Sequence, residues 1–291
     1  MITHITNHQI YADVDTLGGQ LVSLRDVHGK EYLWQGDPAY WKGQAPILFP
    51  IVGSLRNGKA VINGKAYAMP RHGLARTRPF TRLHSDGDSA AFLLAADDDT
   101  RTSYPFDFAL TVSYELSGRS ISQLFTVENR GEGNMPFCLG LHPGFNIPLD
   151  EEESFEDYIL SFPLEETCDS PLLDPDTGLV RTACRRPVLE GVRQIPLERT
   201  IFDEDALVLE SLHSRRASLY SQVSGRGVEM AFEGFDYLGV WQPKNAPFLC
   251  LEPWTGTATC DDEDDILAHK RGMTLLAPGE GRQFCCKITL L

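Results

Sequence analysis

Apolar side chains recur at every second residue through much of this chain. Phe108, Leu110, Val112, Tyr114 and Leu116 alternate with smaller or polar residues, and Ile121, Phe125 and Val127 resume the pattern after Ser117-Gly118-Arg119-Ser120. Successive strand residues point to opposite faces, so the pattern predicts an antiparallel hairpin with one buried face. The alternation returns at Val228, Met230 and Phe232. Asn63-Gly64, between Ala60-Val61-Ile62 and Lys65-Ala66-Tyr67, suits the two positive φ angles of a type I′ turn and predicts a second hairpin. A third is expected to turn at His28-Gly29. Long amphipathic helical patterns are absent, and Pro and Gly are spread along the whole length, as in chains of many short strands. No Pro/Gly/Ser-rich linker or shift in composition marks a boundary. The expectation is an all-β protein, a single domain over 1–291, with two large antiparallel sheets packed face to face.

Charge and composition narrow the classes of function. A formal net charge of −15 opposes broad contact with a phosphate backbone or an anionic membrane surface, so neither nucleic acid nor membrane is an expected partner. No apolar run approaches the roughly 20 residues that span a bilayer, and the start MITHITNHQ lacks the regions of a signal peptide; a cytoplasmic location is expected. The seven cysteines, at 138, 168, 184, 250, 260, 285 and 286, are odd in number and show no CxxC spacing. That speaks against a disulfide framework and a zinc cluster, and leaves most of them as small core fillers. GxGxxG, Walker A, HExxH and GxSxG patterns are all missing. The acidic runs Asp261-Asp262-Glu263-Asp264-Asp265 and Glu151-Glu152-Glu153 lack calcium-loop spacing and read as solvated surface turns.

The segment Phe248 to Thr255, FLCLEPWT, places one carboxylate, Glu252, in an otherwise apolar run beside Pro253 and Trp254. An acid in that setting is expected to have a raised pKa and to face a ring-shaped ligand. His72 in PRHGLAR and His142 in GLHPGF stand in similarly marked settings, so the three suggest an acid–base site assembled from distant segments. Taken singly, each also reads as structural: a core acid satisfied by backbone amides, and two structural histidines.

Six motifs in order, PILFPIVG at 46–53, RHGLAR at 71–76, YPFDF at 104–108, MPFCLGLHPGFNIPL at 135–149, FDEDALVL at 202–209 and APFLCLEPW at 246–254, together resemble the aldose 1-epimerase (mutarotase) family. The likeness runs from Gly18-Gly19 to the closing LAPGEGRQFCCKITLL and leans toward the LacX-like and hexose-6-phosphate mutarotase branch. It implies a galactose-mutarotase-like β-supersandwich with the sugar site on a concave sheet face. It also implies that Glu252 takes the proton from the anomeric hydroxyl while His142 protonates the ring oxygen, without metal or organic cofactor. The expected partner is then a small-molecule sugar or sugar phosphate, and the chain a monomer or homodimer.

By the same resemblance His72 hydrogen-bonds the sugar near its ring oxygen or a neighbouring hydroxyl, and Asp205 positions it, with Asp203 an alternative on the same strand face. Trp254, Phe145 and Trp241 are candidates for an apolar platform. The pattern departs at Ser54, where galactose mutarotases usually carry an arginine; Arg56, two residues on, would share that face if the segment were a strand. Arg71 and Arg76 bracket His72, and in the hexose-6-phosphate branch an arginine at this spacing helps to hold the phosphate. Two other readings compete. A non-catalytic carbohydrate-binding protein would have no need of Glu252, His142 and His72 together. A glycoside hydrolase would need two carboxylates, nominally Glu252 and Asp205.

Overall fold

The computed structural model describes residues 1–291. A nine-stranded antiparallel sheet forms one layer, in the spatial order Val180–Pro196, Tyr158–Leu173, Arg216–Ser221, Gly227–Glu233, Gly281–Leu290, Ser120–Asn129, Phe108–Ser117, Ser89–Ala95 and Thr81–Ser85. A six-stranded sheet packs on it, ordered Leu207–Leu209, Tyr237–Trp241, Phe248–Trp254, Gly140–Leu141 and Ile47–Leu48, with Gly144–Asn146 also paired to Phe248–Trp254. Ile2–Thr6, Ile10–Asp15 and Gln20–Asp26 make a third, three-stranded sheet. The longest α-helical piece is the single turn Asp98–Arg101, capped by Asp97, and no helix is long and apolar enough to cross a membrane.

The period-two segments form the elements expected of them. Ser117 pairs with Ser120 around Gly118, which has φ 57°, and Leu110, Val112, Tyr114 and Leu116 all turn inward. Asn63 and Gly64 take φ 49° and 76°, the positive pair a type I′ turn requires. Asp26 and Lys30 close the turn at His28-Gly29. Val228, Met230 and Phe232 pack with Phe125, Phe284 and Ile288 from the large sheet and Leu249 and Leu251 from the smaller one in a shared core. Apolar burial across the two inner faces is what joins the layers.

Both acidic runs hold more structure than a solvated turn. Glu153 is buried and accepts hydrogen bonds from the Tyr158 and Ser221 hydroxyls, because the adjacent strand turns it under the sheet edge. Glu263 accepts the backbone N–H groups of Cys260 and Arg271, at 3.1 and 2.8 Å. Asp265 accepts from the Arg56 guanidinium at 2.9 Å.

Candidate active site

Glu252 stands in Phe248–Trp254, an inner strand of the smaller sheet that is buried along its whole length. Leu249 and Leu251 enter the shared core, whereas Phe248, Cys250, Glu252 and Trp254 occupy the opposite face. Glycines beside this strand make room on that face. A Cβ on Gly239, the partner of Glu252, would lie 2.5 Å from the Trp254 indole, and one on Gly140 would lie 2.8 Å from it. The indole therefore lies flat against backbone and forms the wall of an open cavity of about 260 Å³.

His72 and His142 reach this cavity from separate loops. His142 follows Gly140–Leu141, and its backbone N–H donates to the Pro46 carbonyl at 3.1 Å. His72 sits at φ 67° ahead of Gly73, where a Cβ would come within 2.2 Å of the Phe49 carbonyl oxygen, so only glycine fits. His72 and Gly53 bind reciprocally. The His72 backbone N–H donates to the Gly53 carbonyl at 2.9 Å, and the Gly53 N–H donates to His72 Nδ1 at 3.1 Å.

That second bond assigns the tautomer. Because Nδ1 accepts from a backbone amide, the imidazole proton is on Nε2, and the ring cannot become imidazolium without losing the bond. Burial, then His142, Arg71 and Arg76, hold the His72 pKa well below the usual value. Arg71 Nε–H is also directed at His72 Nε2, at 3.2 Å; a neutral ring accepts from only one of these donors, and with the fixed Gly53 amide taking Nδ1 the Arg71 and Nε2 N–H groups are both left for an acceptor oxygen.

Glu252 and His142 meet at the cavity floor, with Oε2 and Nε2 3.2 Å apart and residue exposures of only 2% and 7%. Burial raises the Glu252 pKa well above the carboxylate range, partly offset by Arg71, and lowers His142 to about 3. The low-dielectric floor therefore favours the uncharged pair, Glu252 protonated and His142 neutral, so that the two together hold one exchangeable proton, on the carboxyl. Trp41 stacks on the His142 ring, with centroids 4.7 Å apart and planes at 26°, while Trp241 meets it edge-on at 5.5 Å. Arg71 and Arg76 line the same cavity with no carboxylate partner, and burial and Arg71 lower the Arg76 pKa.

The sequence profile described as Aldose 1-epimerase matches residues 1–289. The chain belongs to the aldose 1-epimerase family. It is 40% identical to the chromosomal protein LacX of Lactococcus lactis subsp. lactis over a 298-residue alignment that spans 100% of both chains. A galactose mutarotase related enzyme from Lactobacillus acidophilus superposes with a TM-score of 0.95 at 32% identity, covering 100% of this chain and 97% of that one. A galactose mutarotase-like protein from Lactobacillus casei does so with 0.93 at 30%, covering 100% of each. A protein of Escherichia coli K12 named "Putative glucose-6-phosphate 1-epimerase" shares 25% over 153 residues, 49% of this chain and 47% of its own.

In this aldose 1-epimerase family member, Glu252, His142, His72, Asp205, Arg71, Arg76, Trp254 and Trp241 all line the one cavity. Asp203, the alternative to Asp205, does not, because the chain turns at Asp205 with φ 69° and separates the two. Arg56 is a correction. The backbone leaves the extended form at Arg56 and enters a 3-10 turn, so a shift of two residues no longer preserves the face. Its guanidinium donates instead to Asp265 and to the carbonyls of Cys260, Asp261 and Glu263. Phe145 is also displaced from the expected platform: it pairs with Leu249 and enters the shared core.

The space beside Ser54 belongs to a hairpin tip that sequence reasoning missed. Leu173, Gly178 and Val180 line the cavity opposite the arginines, and a Cβ on Gly178 would lie 3.2 Å from Ser54 Oγ. Val180 is tied by its N–H to Thr259 and by its carbonyl to Asp261, so the tip is a fixed wall. Trp41 was missed as well. The signal was the Trp-Lys-Gly spacing, since a Cβ on Gly43 would fall 2.4 Å from the Trp41 ring that folds back over it. Cys250 is fully buried with Trp34 and Phe248, as expected of most of the cysteines, and its sulfur, a His142 ring nitrogen and a Glu252 oxygen lie within 4.8 Å of one another.

Proposed function

We propose that this protein is a mutarotase that interconverts the α and β anomers of a hexose, with hexose 6-phosphate the preferred substrate. The observation that carries the reading is the buried Glu252–His142 pair, with Oε2 and Nε2 3.2 Å apart beside His72. Opening a pyranose requires a base at O1 and an acid at O5. The pair's one proton must first pass from Glu252 to His142; the carboxylate then takes the O1 proton, the O–H electrons form the C1 carbonyl, the C1–O5 bond breaks toward oxygen, and His142 delivers its proton to O5. Rotation about C1–C2 and the reverse transfers close the other anomer. The pair holds one proton before and after, so it serves both directions. His72 Nε2–H would steady O5 as charge develops there. Acid–base help of this kind is worth roughly 10² to 10⁴ in rate, or about 3 to 5 kcal/mol.

Arg71 and Arg76 support the phosphate. The exposed Arg71 and partly buried Arg76 guanidiniums, without a carboxylate partner in a chain of net charge −15, repel each other until an anion joins them. Arg71 touches His72, the residue expected at O5, and C6 is attached to the carbon next to O5; an anion there is one carried on C6. The name of the Escherichia coli relative agrees with this choice.

Magnetisation-transfer NMR on equilibrium glucose, galactose and their 6-phosphates tests the reading. Exchange above the uncatalysed background that vanishes in Glu252→Gln is expected, and Arg76→Ala should slow the phosphates far more than the free hexoses. Equal slowing of both would remove the phosphate assignment. Sugar binding without acceleration would leave the non-catalytic carbohydrate-binding role instead.

A further inference from the structure

We infer that His142, Cys250 and Glu252 form a binding site for a thiophilic divalent cation of zinc's chemistry, and that filling it blocks the acid–base pair. Strand geometry makes the site: Cys250 and Glu252 are two residues apart on one face of Phe248–Trp254, and the His142 loop crosses above them. The three ligand atoms lie within 4.8 Å of one another. The 3.2 Å between His142 Nε2 and Glu252 Oε2 is close to the edge, about 3.3 Å, of a tetrahedron whose nitrogen and oxygen ligands stand about 2.0 Å from zinc. Cys250 Sγ, buried behind them and within 4.8 Å of both, supplies the third corner once its side chain moves toward the pair, and the ion would enter through the cavity that His142 and Glu252 line.

Two further observations point the same way. Glu252 Oε2 is a buried carboxylate oxygen with no hydrogen-bond partner in the protein, although it faces His142 Nε2 at 3.2 Å, and a cation held between the two would satisfy it. The charges also balance: a divalent cation with one thiolate, one carboxylate and one neutral imidazole leaves no net charge in the buried floor. On binding, the Cys250 thiol and the Glu252 carboxyl release their protons to solvent, and no electron is transferred. The sulfur selects zinc over magnesium and calcium, which prefer oxygen ligands. Cys250 takes no part in the proton transfers proposed above, so the metal site and the activity can be separated by substitution.

Only the blocking step rests on the mutarotase reading; metal binding is tested independently of it. Chelator-treated protein is titrated with Zn²⁺ by calorimetry and with Co²⁺ by absorption, while anomer exchange is followed in parallel. The expected result is a Co²⁺ band of thiolate charge-transfer character, Zn²⁺ binding that saturates together with loss of exchange, and no effect of Mg²⁺. Cys250→Ala, or Cys250→Ser should the first be unstable, is expected to keep exchange near the wild-type rate, lose the band and weaken Zn²⁺ by about tenfold or more. No thiolate band, or Zn²⁺ binding undiminished in the Cys250 variants, overturns the site. Zinc bound with exchange intact overturns the block. A band and Zn²⁺ binding lost in the Cys250 variants, in a protein with no exchange at all, would uphold the site and place the failure in the proposed function.

Discussion

At the scale of single residues, the cavity separates three titratable groups that sequence had placed side by side as candidates. Burial keeps the proton on the Glu252 carboxyl and His142 beside it uncharged, while the Gly53 amide keeps His72 neutral with its proton on Nε2. Glu252→Gln keeps the shape and removes the base, so anomer exchange should fall by about 10² or more while the unfolding transition stays in place. Nitrogen-15 NMR of the imidazoles should show His72 as the neutral Nε2–H tautomer from pH 8 down to pH 5; an imidazolium pattern within that range would move the acid role to His72. The motifs made Glu252, His72 and His142 legible because each is flanked by Pro or Gly, Glu252 within an apolar run as well. The tautomer was not legible, since it depends on an amide 19 residues away that meets Nδ1 only after folding.

Among the elements, glycine-lined strands and one irregular loop shape the site. Gly239→Ala would drive a methyl into the Trp254 ring, 2.5 Å from its ideal Cβ. Overpacking of this kind costs about 1–3 kcal/mol, and here the indole must shift into the cavity, so the KM for sugar should rise along with the loss of stability. Trp41 is held by the Trp34 indole N–H, which donates to its carbonyl at 2.7 Å, and it presents its face to His142. Trp41→Ala should reduce kcat and alter its pH profile, while Trp41→Phe, which retains an aromatic face, should restore most of both. The hairpins around Gly118 and Asn63-Gly64 were legible because turn type follows from two adjacent residues. The turn at Arg56 was not, because the acidic segment 260–265 that captures the guanidinium is distant in sequence.

For the whole molecule, burying three titratable groups in one floor ties the cavity to acid stability. A depressed histidine pKa adds stability above about pH 6.5 that is lost as pH falls toward the native value, about 3 for His142. The raised Glu252 acts oppositely: its contribution is full below about pH 4.5 and is lost as pH rises through its native value. Between pH 6.5 and 4.5 these groups therefore make unfolding take up a net proton, two from the histidines less one from the carboxyl; below 4.5 the histidines act alone. Each proton corresponds to about 1.4 kcal/mol per pH unit. Urea unfolding of His72→Asn, which keeps an acceptor near Gly53, should show a pH slope shallower by up to that amount below pH 6.5; an unchanged slope would mean that His72 titrates normally in the fold. The sequence by itself determined the all-β architecture, several hairpins and the family, because period-two burial, turn residues and ordered motifs are local properties. Only folding settled that Asp205 rather than Asp203 faces the cavity, that Arg56 turns away, and that Trp41 and a hairpin tip join the site. Those choices depend on which distant backbone occupies a given space, and no spacing along the chain encodes that.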